Sequence, residues 1–241
     1  LGYTSVFDTE LMTDTYLQTG NSVREIDLGD TSVVLLESPF GSSGIGVKRT
    51  FASGSGYFTA GLTAMNEVGS LVGITAPGFE SGIGGQSAAF EISNGFQLWD
   101  STGIRFEASA GMAEGHGAGM IGDFNDIAFN SMKVTVDRAL PNGALFSASV
   151  VRPAAIVGGT VDVRLPSDTI SASALSDEDF RTYTADLAPT ARQLDLNFEY
   201  TLPIDFMDDA SVSLMAGKSL NQGHTSGETG YSVGIAATIR F

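Results

Sequence analysis

The chain has 241 residues, a formal net charge of −16, 42% hydrophobic side chains and no cysteine. Its 12 Lys and Arg are too few and too scattered for a nucleic-acid footprint. The lack of Cys excludes disulfides and thiolate metal sites, and no run of ~18 apolar residues forms a transmembrane helix.

Leu1 carries no Met, basic n-region or apolar h-region, so the chain reads as a processed product or a fragment. Residues 1–30 lack a steady rhythm. Ser5-Val6-Phe7 reads as strand, Thr9 to Gln18 as a short helix or linker, and Gly20-Asn21 as a break. Ser22 to Leu28 alternates weakly, and Gly29-Asp30 is a turn signal. From there the apolar pattern predicts strands near 31–37, 45–52, 56–66, 88–99, 102–113, 127–139, 144–152, 156–166, 179–187, 192–202, 210–220 and 229–241. That is about twelve, most of them 8–13 residues long, where a spanning strand needs ~9–11.

Many alternate strictly. Ile104, Phe106, Ala108, Ala110 and Met112 oppose Arg105, Glu107, Ser109 and Gly111. Val161, Val163 and Leu165 oppose Asp162 and Arg164. Leu194, Leu196, Phe198, Tyr200 and Leu202 oppose Asp195, Asn197, Glu199 and Thr201. Short turns are expected at Ser53-Gly54-Ser55, Asp100 to Gly103 and Pro141-Asn142-Gly143. Longer glycine-rich connections are expected at 66–87 and 114–126. The last strand, Thr229 to Phe241, puts Tyr231, Val233, Ile235, Ala237, Ile239 and Phe241 on one face and small residues plus Arg240 on the other.

Period-2 strands, an aromatic last residue and alternating short and long connections predict an all-β fold. We expect an antiparallel outer-membrane transmembrane β-barrel of about twelve strands. Residues 1–30 are expected to be a linker or helix inside or along the lumen, and residues 31–241 the barrel. Counting back from a periplasmic C-terminus, 220–229, 114–126 and 66–87 fall outside, and 203–209, 140–143, 100–103 and 53–55 in the periplasm. The long segment 167–178 breaks this parity, beside two short external connections at 152–156 and 187–191. Either that region is irregular or one strand is misassigned. Arg105, Glu107, Asp162, Arg164, Asp195, Glu199 and Arg240 are expected to line the lumen, keep it wet and pair across it.

From Val151 onward the chain resembles the C-terminal barrel of bacterial autotransporters, and more narrowly those carrying a subtilisin-like serine protease passenger. The residues that carry the resemblance are V-V-R-P-A-A-I-V-G-G-T-V-D-V-R-L-P from Val150, D-L-A-P-T-A-R-Q-L-D-L-N-F-E-Y from Asp186, N-Q-G-H from Asn221 and the terminal I-R-F. The match covers about the last ninety residues; strong acidity and the segment Ser171–Asp179 depart from the pattern. It implies an outer-membrane translocator and anchor at the surface of a Gram-negative bacterium, exporting an upstream passenger. It also implies that Tyr231, Val233, Ile235, Ile239 and Phe241 are the signal read by the barrel assembly machinery. The partners expected are outer-membrane lipid, that machinery and the chain's own passenger segment.

No catalytic constellation emerges. A G-x-S-x-G turn is missing, and the only histidines, His116 and His224, both sit in glycine-flanked predicted loops, short of the three ligands zinc needs. The acidic runs Ser176 to Asp179 and Asp208-Asp209 lack the spacing of a calcium loop. Gly41–Gly46 and Gly82–Gly85 lack the Lys-Ser/Thr of a phosphate cradle. No enzyme activity, cofactor or metal is therefore expected in this chain. A small porin without a passenger and a soluble secreted or surface β-sandwich, acting as adhesin or structural module, fit the same alternation.

Overall fold

In a computed structural model of the chain, the described residues are 22–37, 41–69, 71, 83–166, 180–204 and 210–239. Among them lie twelve strands: β1 (Ser22–Asp27), β2 (Thr31–Glu37), β3 (Ser43–Ser53), β4 (Gly56–Val68), β5 (Gly84–Trp99), β6 (Thr102–His116), β7 (Ile121–Ala139), β8 (Leu145–Pro166), β9 (Phe180–Asp186), β10 (Leu194–Pro203), β11 (Ala210–Leu220) and β12 (Thr229–Ile239). All belong to one antiparallel sheet, ordered β1 to β8, then β10, β11 and β12, with β9 also paired to β8. The all-β class and the strand count agree with the sequence. Among the described residues no ladder joins β12 to β1.

The count agrees through two compensating differences. Ser22–Asp27 is a full strand, paired with β2 from Ser22↔Glu37 to Asp27↔Ser32, inside the stretch expected to be linker. The turn expected at 152–156 does not exist, because β8 runs unbroken from Leu145 to Pro166. Its first half pairs with β10 (Thr201↔Leu145 to Asp195↔Val151) and its second half with β9 (Asp186↔Thr160 to Phe180↔Pro166). The register is the same in both halves, since equal lengths separate Val151 from Thr160 and Asp186 from Asp195. β9 and β10 are thus one column of the sheet, interrupted over 187–193, and twelve strands fill eleven columns. The glycine-rich connection expected at 114–126 is mostly strand as well, and only 117–120 separates β6 from β7.

Merging those two strands repairs the parity. The connections 28–30, 54–55, 100–101, 140–144 and 204–209 all fall at the end where β12 finishes, hereafter the turn end. The strand ends that flank 38–42, 69–83, 117–120, 167–179 and 221–228 lie at the opposite, loop end. The strand ends on either side of 167–179 are thus at the same end of the sheet as those on either side of 69–83.

Alternation gives the sheet two unlike faces. One hydrogen-bonded row reads Phe96, Ile104, Val136, Ala148, Phe198, Ala216 and Val233 across seven strands. These side chains stand on an open face, hereafter outward: Phe96 is 45% exposed, Phe198 49% and Val233 87%. A neighbouring row on the other face reads Thr50, Thr59, Ser93, Glu107, Lys133, Val151, Asp195, Ser219 and Gly230.

The inner face changes character at the loop end. There Leu36, Met65, Leu71, Ile83, Ala89, Ala113, Phe124, Ile127, Phe129 and Val161 form a buried cluster. Leu71 comes from the connection 69–83 and lies against Gly85 and Gly115, where added Cβ atoms would meet its Cδ1 at 2.9 Å. Glycine at these strand positions makes room for a side chain arriving from a loop. Buried aliphatic and aromatic side chains of this size contribute about 1.5–3 kcal/mol each.

Candidate functional site: the polar inner face and the break between β9 and β10

The sheet carries its charges inward, where small side chains leave room for long ones. Arg105 donates to Asp137 Oδ2 through Nε at 3.1 Å and Nη2 at 3.0 Å, and Ser147 Oγ donates to Asp137 Oδ1 at 2.8 Å. Lys133 Nζ lies 3.7 Å from Glu107 Oε2, on the residue directly opposite in the ladder. Lys48 Nζ reaches Glu25 Oε1 at 2.9 Å. Hydroxyls bridge the strands between these pairs: Thr50 with Thr59 at 2.9 Å, Ser109 with Ser131 at 2.6 Å, Thr201 with Ser213 at 2.7 Å. The buried Glu67 accepts from Ser87 Oγ at 3.0 Å. Each inner cation named here has a carboxylate, which offsets the cost of placing charge where bulk water is restricted.

Of the residues expected to line a lumen, Arg105, Glu107, Asp195 and Glu199 share this face. Asp195 takes both oxygens to Gln193 Nε2 at 2.9 Å, and Glu199 accepts from Thr201 Oγ1 at 3.2 Å. Asp162 and Arg164 stand on the opposite face, because their neighbours Val161 and Val163 belong to the buried cluster or pack on it. Thr184 Oγ1 donates to Asp162 at 2.8 Å, exposed, and the Arg164 guanidinium lies 5.6 Å from the Phe180 ring centre. The reason is positional. This part of β7 and β8 belongs to the loop end, where the inner face of these two strands is apolar and their polar side chains turn outward. Arg240 and Phe241 lie outside the described residues, and so does the side chain of Ile239. Tyr231, Val233 and Ile235 are outward and 77%, 87% and 74% exposed.

The second feature was not visible as a site in the sequence. Where β9 stops and β10 has yet to start, Arg192 fills the gap. Its Nη2 donates to the carbonyl oxygens of Asn130 and Pro153, each at 3.2 Å. Burial, and then the neighbouring Arg152, hold this guanidinium below its ordinary value. Asn221 Nδ2 donates to the Arg192 carbonyl at 3.2 Å, and the Gly223 amide donates to Gln193 Oε1 at 2.8 Å. The Gln193 amide donates to His224 Nδ1 at 3.1 Å. Asn221 and His224 both have left-handed backbone, at φ 53° and φ 60°, which Asn and His tolerate better than most residues. Arg152-Pro153, Arg192-Gln193 and Asn221 to His224 are far apart in sequence and interlock here. They are the stretches singled out above for their resemblance; a sequence shows the motifs but not their contact. His116 lies on a separate groove of about 520 Å³ with Asn66, Glu67, Gln86 and Glu114. Among the described residues no group of three potential ligands is placed to hold a metal ion.

In comparisons with known proteins, no family model, no curated protein and no solved structure matches this chain.

Proposed function

We propose that this chain is the translocator and anchor of an autotransporter, a twelve-stranded barrel in the outer membrane of a Gram-negative bacterium. It exports an upstream passenger, by resemblance a subtilisin-like protease, and does no chemistry itself. One observation carries the membrane part: an outward apolar row, exposed at Phe96, Phe198, Ala216 and Val233 and half-buried at Ile104, Val136 and Ala148, crosses seven strands while charges and hydroxyls face inward. Water disfavours that arrangement, and acyl chains favour it. A soluble sandwich would need a second sheet on the apolar face, and none of the described strands covers it. β1 and β12 run in the same direction, so a closed ring with only antiparallel neighbours takes one further strand between them. That gives an even number of columns, as the twelve-stranded proposal requires. The export part rests on the interlocked motifs.

Two measurements test this. The chain is expected to require detergent for extraction and to migrate differently on gels with and without boiling. A reporter fused upstream of Leu1 is expected to become sensitive to protease added outside intact cells. A chain that stays folded and soluble with no detergent would remove the membrane assignment. A barrel that inserts but leaves the reporter protected would remove only the export role.

A further inference from the structure

We infer that Arg152 and Lys218 form a binding site for the phosphate of an anionic lipid, on the outward face at the loop-end border of the apolar row. The inference rests on the membrane assignment above. Lys48, Arg105 and Lys133, on the inner face, each pair with a carboxylate. By contrast, no carboxylate among the described residues pairs with Arg152, Arg192 or Lys218, in a chain with net charge −16.

The register places the two side chains, Arg152 half-buried and Lys218 exposed. Arg152 is directly opposite Met132, next to the pair Lys133↔Val151, so it faces away from the lumenal Lys133. Lys218 sits opposite Leu196, whose other partner is Val150, again on the outward face. Adjacent strands lie ~4.8 Å apart and a two-residue step advances ~6.8 Å. Arg152 and Lys218 are therefore roughly 12 Å apart at the backbone, within reach of one headgroup for two long side chains. Lys218 Nζ stands 5.5 Å from the ring centre of Tyr231, which is 77% exposed. An aromatic ring beside a cation at the edge of an apolar face is the usual chemistry of a headgroup boundary. Arg192, close to Arg152, adds like charge: burial first, and then the charge of Arg152, lower the Arg192 guanidinium below its ordinary value. An external anion offsets that like charge.

Charge alone would also accept free phosphate. The lipid is favoured because Val150, Leu196 and Ala216 continue the apolar face directly below the cations, so the acyl chains of the same molecule have a place to lie. Basic clusters beside membrane-embedded surfaces hold anionic headgroups in this way.

The test uses the whole chain reconstituted in phosphatidylcholine vesicles containing a one-tenth fraction of phosphatidic acid. Co-flotation with the vesicles comes first. Native mass spectrometry after mild detergent release then counts retained phosphatidic acid. The unaltered chain is expected to retain phosphatidic acid over phosphatidylcholine, less so at high salt. Arg152→Gln with Lys218→Gln is expected to lower that retention by about tenfold or more, while Arg138→Gln, near the turn end, leaves it unchanged. Heat-modifiable migration confirms that each variant is folded. Failure to float removes the membrane assignment and this site with it. Flotation with equal retention of both lipids removes the site alone. Displacement of phosphatidic acid by millimolar inorganic phosphate would show a site for free phosphate and overturn the lipid assignment.

Discussion

At His224 one proton decides whether two connections stay joined. Nδ1 accepts the Gln193 amide and can do so only while it keeps its lone pair. Burial first, then the Arg192 charge, lower its pKa below the ordinary histidine value, with Asp195 opposing them. A histidine whose folded pKa is lowered favours the neutral form, so the unfolded chain binds more protons as pH falls. The stabilisation is complete above the unfolded value of about 6.5 and is lost as pH drops through it toward the folded value. Protection of the Gln193 amide, relative to the intrinsic exchange rate at each pH, should therefore fall between pH 7.5 and pH 5. His224→Ala should make that protection low and flat across the range. Protection unchanged by acid would show that the proton plays no part.

At the scale of the strand, β12 and the β9–β10 column make opposite demands. β12 pairs Ile235 with Leu214 and Gly234 with Met215, so consecutive side chains point to opposite faces. Under the membrane assignment Ile235→Arg is expected to cost about 2–4 kcal/mol near the bilayer midplane, and Gly234→Ser well under that. Unfolding of the refolded variants in denaturant measures the difference. Equal costs would place the lipid elsewhere. In the interrupted column, Arg192→Ala strips the Asn130 and Pro153 carbonyls of their donor, at a cost of about 1–3 kcal/mol for groups left unpaired. Arg192→Lys should recover only part, since the ammonium sits on a shorter stem than the guanidinium nitrogen Nη2 that reaches both carbonyls. Proteolysis within 187–193 checks this, and a cleavage rate equal to that of the unaltered chain would show the gap held by other means. These elements differed in how far sequence revealed them. β6, β10 and β12 were legible because an uninterrupted period of two needs no outside partner. β8 was not: Arg152-Pro153 and Gly158-Gly159 resemble turn signals, and the donor that keeps Pro153 inside a strand comes from Arg192, 39 residues away. The inward charges of β6 and β10 followed from alternation alone. Asp162 and Arg164 did not, because alternation fixes that two faces differ and leaves open which of them meets the core.

For the molecule as a whole, nearly every ladder joins strands that are consecutive in the chain; the pairing of β8 with β10 skips only β9. Such contacts close small loops, and loop-closure entropy rises only slowly with length. Assembly can therefore travel along the chain like a zip. Closing a ring would be different in kind, since it brings together segments separated by almost the full length of the chain, the most non-local contact available, and non-local contacts are formed late. The slow step should then belong to wherever the chain ends lie, not to any particular strand. Joining the first residue to the last and reopening the chain between Asn142 and Gly143 would make β7 and β8 the terminal strands. A pair of fluorescent labels across β7 and β8, which meets early in the unaltered chain, should become the last to meet. If the order of events survives this permutation, the timing is written in the strands themselves and the ends are passengers in their own assembly.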